Sequence, residues 1–165
     1  MDDQRYPVML RLVGRACVVV GGGVVAARKI RGLLDANARV IVISRELCSE
    51  VRALVEKGAI EARVKTYESE DLTSVNPLLV FAATDDPLVN RAVAQDARGI
   101  GALVNTADDG ASGDFHNAAV ARKGGIVITV STGGSDPALA KALAGKLADT
   151  LTDEDVQSAE TRRRS

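Results

Sequence analysis

The chain has 165 residues, a mass of 17.2 kDa, 46% hydrophobic residues, a formal net charge of −1 and a pI near 5.9. That length suits one domain with a substantial core, while a near-neutral charge with 2% aromatic residues and no Trp supplies neither the field nor the stacking surface that nucleic-acid binding uses. No apolar run approaches the roughly 18 residues of a membrane span, MDDQRYP does not read as a secretory signal, and two distant cysteines, Cys17 and Cys48, fit a reducing cytoplasm better than a disulfide or metal site.

Strands and helices alternate from the start. Ala16 to Gly21 is a continuous apolar run, as at the centre of a parallel sheet. Val24 to Ala36 follows helical spacing, with Asn37 as the stop, and Ala38 to Ser44 is a second apolar strand. A helix from Glu46 to Lys57 closes at Gly58, and IEARVKT alternates like a strand near an edge. A short helical turn from Asp71 to Val75 precedes Pro77, then LLVFAAT forms a fourth strand. Asp85 and Asp86 are candidate caps for a helix that begins at Pro87 and runs to about Arg98, and ALVN is a fifth strand.

The rhythm then breaks. TADDGASGD is a polar loop, two strands meet at Lys123-Gly124-Gly125, and a helix runs from Asp136 to about Leu151. The tail TDEDVQSAETRRRS reads as polar and frayed. The pattern predicts an α/β fold: a Rossmann-like doubly wound parallel sheet followed by a small strand-strand-helix region.

Gly21, Gly23 and Ala26 fit G-x-G-x-x-G/A between a strand and a helix, and a second strand follows. The first glycine permits the tight turn, the second admits a pyrophosphate, and the small third residue packs helix on sheet. With Gly22, Val24 and Val25 this turn presents N–H groups and a positive helix end to phosphate. The second strand ends at Ser44-Arg45-Glu46. Glu46 accepting from ribose hydroxyls points to NAD, Arg45 holding a 2′-phosphate points to NADP, and a first-turn helix acid is the plain alternative for Glu46. NAD is the reading taken.

Ala83 and Thr84, in AATDD, lie at the end of the fourth strand, where small side chains let a nicotinamide approach backbone. Asn105-Thr106-Ala107-Asp108-Asp109 ends the fifth, and a carboxylate on that rim is placed to take the proton that oxidation releases. A solvated turn is the plainer reading of such a pair. His116, the one histidine, matches no compact ligand motif and reads as structural or substrate-contacting. The Ser131-Thr132-Gly133 turn before the last helix offers N–H groups to a substrate carboxylate, with Ser135 or Asp136 as an ordinary cap.

VVVGGGVVAARKIRGLLDANARVIVIS, FAATDDPLVNRAVA, VNTADD and ITVSTGGSDPALAKAL, in that order, resemble the siroheme synthase N-terminal family over about Tyr6 to Thr150. The resemblance implies NAD-dependent dehydrogenation of precorrin-2 to sirohydrochlorin, with ferrous-iron insertion in some members. It implies that Asp108, in N-x-x-D, is the acid/base residue, with Asp109 as a stand-in, and that Asn105 lies beside the cofactor. It also implies a homodimer built through Phe115 to Ser131, with residues 1–112 binding NAD and residues 113–165 forming the dimerisation and tetrapyrrole-cleft region and the tail. Some relatives carry a serine at the position of Thr132, and many continue into a further helical region where this chain has its polar tail. The dehydrogenation is therefore carried further by the resemblance than the iron insertion.

The substrate bears many carboxylates, so Arg28, Lys29, Arg91, Arg122, Lys123, Lys141 and Lys146 are candidate partners or plain solvated charges. A module that senses NAD(H) without chemistry is the rival reading, and it has no need of Asp108. A short-chain dehydrogenase is disfavoured, because neither Tyr6 nor Tyr67 has a lysine four residues on.

Overall fold

The computed structural model describes residues 5–107 and 112–163. The chain divides into two compact units: Pro7–Phe115, and His116–Ser165 together with Met1–Tyr6.

The first unit is a five-stranded parallel sheet in the order β3-β2-β1-β4-β5. Its strands are β1 (Ala16–Val20), β2 (Arg39–Ser44), β3 (Glu61–Val64), β4 (Leu79–Ala82) and β5 (Leu103–Thr106). Between them run α1 (Val24–Asp35), α2 (Ser49–Glu56), α3 (Glu70–Val75) and α4 (Pro87–Gly99). β1 pairs with β2 on one side and β4 on the other, so the chain winds outward in both directions from it. Right-handed crossovers then place α1 and α2 on one face and α3 and α4 on the other.

The apolar runs of the central strands follow from this layering. Cys17, Val19, Val40, Val42, Leu79 and Phe81 join Ala26, Ala27, Ile30, Leu33 and Val51 in one core. The intervening residues Val18, Val20, Ile41, Ile43, Val80 and Ala82 join Leu72, Val93, Ala94 and Ala97 in the other. Alternate side chains of a strand point to opposite faces, so a strand buried on both must be apolar throughout. Cys17 is a buried free thiol, and burial pushes it up to about 11. Asn37, the expected stop of α1, takes a left-handed φ of 55°.

The second unit holds the antiparallel pair β6 (Ala119–Lys123) and β7 (Ile126–Val130), then α5 (Pro137–Asp149) and α6 (Asp153–Arg163). α6 corrects the expectation of a frayed tail. Thr152 Oγ1 donates to Asp155 Oδ2 at 2.6 Å, and the Asp155 N–H returns a bond to Thr152 Oγ1 at 3.2 Å. This reciprocal cap, with Asp153, Glu154 and Asp155 in the first turn, suits the positive end of a helix. The Thr152 hydroxyl and N–H hold the Asp155 carboxyl below its ordinary range. α6 also packs on the β6–β7 turn, where a side chain at Gly124 would collide with Val156.

Ile30 is fully buried between α1 and the sheet. Ile30→Ala is expected to lower stability by about 2–5 kcal/mol, read as a reduced urea midpoint at unchanged slope.

Candidate functional site

The carboxyl ends of β1, β2 and β4 border a cleft of about 1130 Å³ in the first unit. It is lined by Gly21, Gly22, Gly23, Val24 and Val25, by Ser44, Arg45 and Glu46, and by Ala83 and Thr84, so ten predicted cofactor residues meet at one place. Lys65, Thr66 and Tyr67 supply a further wall that the sequence pattern did not single out.

The glycines answer to different constraints. The Gly21 N–H donates to Ile43 O at 2.9 Å, and the Ala83 N–H donates to Val20 O at 2.8 Å. These bonds draw the exits of β1, β2 and β4 together. Gly21 has φ +122, and a Cβ there would be driven into the Ala83 carbonyl. A Cβ on Gly22 would strike the Glu46 carbonyl and come within 2.9 Å of Ser44 Oγ. Gly22 was an unconstrained position in the motif, yet it is as sterically obligatory as Gly21. At Gly23 a Cβ would meet nothing within 4 Å. That opening is the fit expected of a pyrophosphate site: backbone approachable from the cleft, beside a helix start. No side chain caps α1 and its first turn holds no acid, so the helix start carries no anion of its own.

The β2 exit is held over the glycines. Ser44 Oγ donates to Glu46 O at 2.8 Å, and the Cys48 N–H donates to Gly22 O at 2.8 Å. α2 begins at Ser49, three residues later than expected, because this loop is occupied in closing on Gly22. Glu46 is therefore not a first-turn helix acid. That role belongs to Glu50, which pairs with Arg31 across to α1. Arg45 and Glu46 are both exposed, and no ion pair or side-chain hydrogen bond engages either among the described residues.

At the β4 exit Asp86 caps α4, accepting from the Leu88 N–H at 2.8 Å. Asp85 and Asp86 both line the cleft, while Ala82 is wholly within the core. Thr84 is held by Asn90, which is 1% exposed: Asn90 Oδ1 accepts from the Thr84 N–H at 3.1 Å, and Nδ2 donates to Thr84 O at 3.0 Å. Sequence reasoning missed Asn90. Its signal was a polar residue in the buried stripe of α4 with Val93, Ala94 and Ala97.

The β3 wall is a charge network. Buried Asp71 pairs with Arg63 at 3.3 Å and Lys65 at 3.2 Å, and Lys65 also reaches Glu68 at 2.6 Å. Tyr67 donates to Asp96 at 2.8 Å, and burial followed by that bond pushes its phenol well above the ordinary value.

Asn105 is buried on β5 and is not part of the cleft lining. Asp108 and Asp109 lie outside the described residues. His116, Ser131, Thr132 and Gly133 belong to the second unit. There the Gly133 N–H donates to Ser131 Oγ at 3.2 Å, and the Asp136 N–H donates to Thr132 Oγ1 at 3.1 Å. The cap of α5 is Asp136, which accepts from the Leu139 N–H at 2.8 Å. No metal-binding cluster of His, Cys, Asp or Glu occurs among the described residues.

A family model described as putative NAD(P)-binding matches residues 8–119. Siroheme synthases from Chromobacterium violaceum and Thioalkalivibrio sulfidiphilus are 39% and 41% identical to the chain over 142 residues, 86% of its length. The chain spans only 30% and 29% of those two proteins. A solved structure of SirC, precorrin-2 dehydrogenase, is similar at a TM-score of 0.78 and 31% identity, over 94% of this chain and 76% of that one.

The glycines separate folding from binding. Gly21→Ala is expected to lower the melting temperature by several degrees, because backbone must move. Gly23→Ala is expected to keep the melting temperature and to weaken NADH binding at least about tenfold, read by cofactor fluorescence.

Proposed function

From the premise that the chain belongs to the NAD(P)-binding family of siroheme synthase N-terminal domains and precorrin-2 dehydrogenase, we propose that it oxidises precorrin-2 to sirohydrochlorin with NAD as hydride acceptor. The observation that carries the redox assignment is the Gly21–Gly23 turn. Two of its glycines are demanded by the chain's own backbone, and the third faces open space at an uncapped helix start. The substrate is supported by likeness to SirC along nearly the whole chain.

NAD, when bound, supplies the acceptor for a hydride. The chain's residues do the rest. Gly23, Val24 and Val25 hold the pyrophosphate by backbone N–H groups. Glu46, free at the β2 exit, accepts from the adenosine ribose hydroxyls. Thr84, fixed by Asn90, and Ala83, fixed by Val20, set the depth at which the nicotinamide lies. Dehydrogenation removes a hydride and a proton from the substrate. Asp108 takes the proton, an assignment supported by its place in Asn105-Thr106-Ala107-Asp108. Ser131, Thr132, Gly133 and His116 are the residues of the second unit assigned to the tetrapyrrole.

The second unit is also assigned to homodimerisation. Leu139, Leu143 and Leu147 recur every four residues on α5 and are 47%, 37% and 48% exposed, an apolar stripe on one helix face. β6 and β7 form a two-stranded sheet, and such a pair is marginal alone.

Two experiments test these readings. Anaerobic mixing of the chain with precorrin-2 and NAD is expected to produce NADH and sirohydrochlorin together, and Asp108→Ala to cut kcat by about 10²–10⁴-fold with NADH binding retained. NADH binding without turnover in the unaltered chain would instead favour a non-catalytic NAD(H) sensor. Sedimentation is expected to give a dimer, and Leu143→Glu with Leu147→Glu a folded monomer.

A further inference from the structure

Among the described residues, two polar groups on the α1 face of the sheet are left without a hydrogen-bond or ion-pair partner: the Lys29 ammonium and Asn105 Oδ1. Lys29 lies on α1 with its Nζ 5.7 Å from the centroid of the Phe81 ring. Among the described residues no carboxylate or hydrogen-bond acceptor reaches it. Burial pushes its ammonium below the ordinary lysine value, the sign of a charge that has lost water without gaining an anion. Phe81 is in register with Asn105 on the neighbouring strand, so the two side chains share a face. Asn105 is 4% exposed, and its Nδ2 donates to Phe115 O at 2.8 Å. Its Oδ1 is buried with no donor. The Phe115 ring stands edge-on to Phe81 at 5.4 Å.

Buried polar atoms are rarely left unpaired, and the ring face of Phe81 is the one partner that the described residues give the half-buried Lys29 ammonium. Neither Lys29 nor Asn105 is among the residues that line the dinucleotide cleft. What complements both is a molecule carrying carboxylates and N–H donors, which is the chemistry of a tetrapyrrole acid. Other basic residues do not share this state: Arg28, Arg91, Arg122, Lys141 and Lys146 are exposed, and Lys123 donates to Leu151 O at 2.6 Å.

Resting on the dehydrogenase reading, we propose that Lys29 and Asn105 form a substrate-binding pair around Phe81. Lys29 takes a carboxylate of the tetrapyrrole, and Asn105 Oδ1 accepts from a ring N–H. Lys29 is thus a specificity residue for a polyanionic substrate, separate from the residues that hold NAD.

The test uses the full chain and three equilibrium or kinetic readouts: KM for precorrin-2 at saturating NAD, the Kd of sirohydrochlorin by absorbance, and the Kd of NADH by fluorescence. Lys29→Met is expected to raise the first two about tenfold or more and leave the third unchanged, with Lys29→Arg restoring most of the loss. Asn105→Ala is expected to weaken sirohydrochlorin in the same way. Should Lys29→Met fail to fold, Lys29→Gln, one atom shorter than lysine but polar and uncharged, serves in its place. Unchanged KM and sirohydrochlorin Kd in a folded Lys29 variant would overturn the proposal, as would a parallel loss of NADH affinity. An unaltered chain that binds NADH but neither oxidises precorrin-2 nor binds sirohydrochlorin would remove the dehydrogenase reading itself, and the pair with it.

Discussion

Everything about this site depends on how closely three backbone segments approach at the carboxyl ends of β1, β2 and β4. Hydrogen bonds from Gly21 to Ile43, from Ala83 to Val20 and from Cys48 to Gly22 draw the segments together. The space left between them is smaller than a methyl group at two positions and empty at a third. Sheet pairing sets this geometry, because β1 is hydrogen-bonded on both sides and its exit must turn between its two neighbours. The glycine turn is thus first a solution to crowding. The opening at Gly23 is different: its backbone borders the cleft, and a Cβ there would meet nothing within 4 Å.

The same central strand organises the energetics. Its side chains are divided between two cores, so removing bulk on either face weakens the support of the turn at its end. The polar part of the rim is braced differently. Arg63, Lys65, Glu68 and Asp71 form a network at the β3 end, and Arg31 and Glu50 tie α1 to α2. Much of that bracing is solvent-exposed, where single ion pairs contribute little. The apolar layers therefore hold the cleft's shape, and the charged residues set its potential.

Much of this was legible in the residues. Continuous apolar strands, helical spacing and the glycine turn identified the sheet, its order of elements and ten of the cleft's lining positions, because each follows from local periodicity. Three things were not. Gly22 is constrained by Glu46, a contact across 24 positions that a motif with a free middle position cannot encode. Asn90 and the Lys65–Tyr67 wall come to the cleft only through tertiary packing. α6 was read as a tail because its mean composition is polar, although Thr152 and Asp155 spell a reciprocal cap. The role of Asp108 comes from family resemblance, not from periodicity or packing.

The amide of Asn90 has a consequence for affinity. By holding both the N–H and the carbonyl of Thr84 from within the core, it gives the β4 exit its final conformation before any ligand arrives. A loop frozen in this way loses little conformational entropy on binding. The folding reaction has already met that cost at the β4 exit. At this exit selectivity then resides in a fixed contour of the cleft.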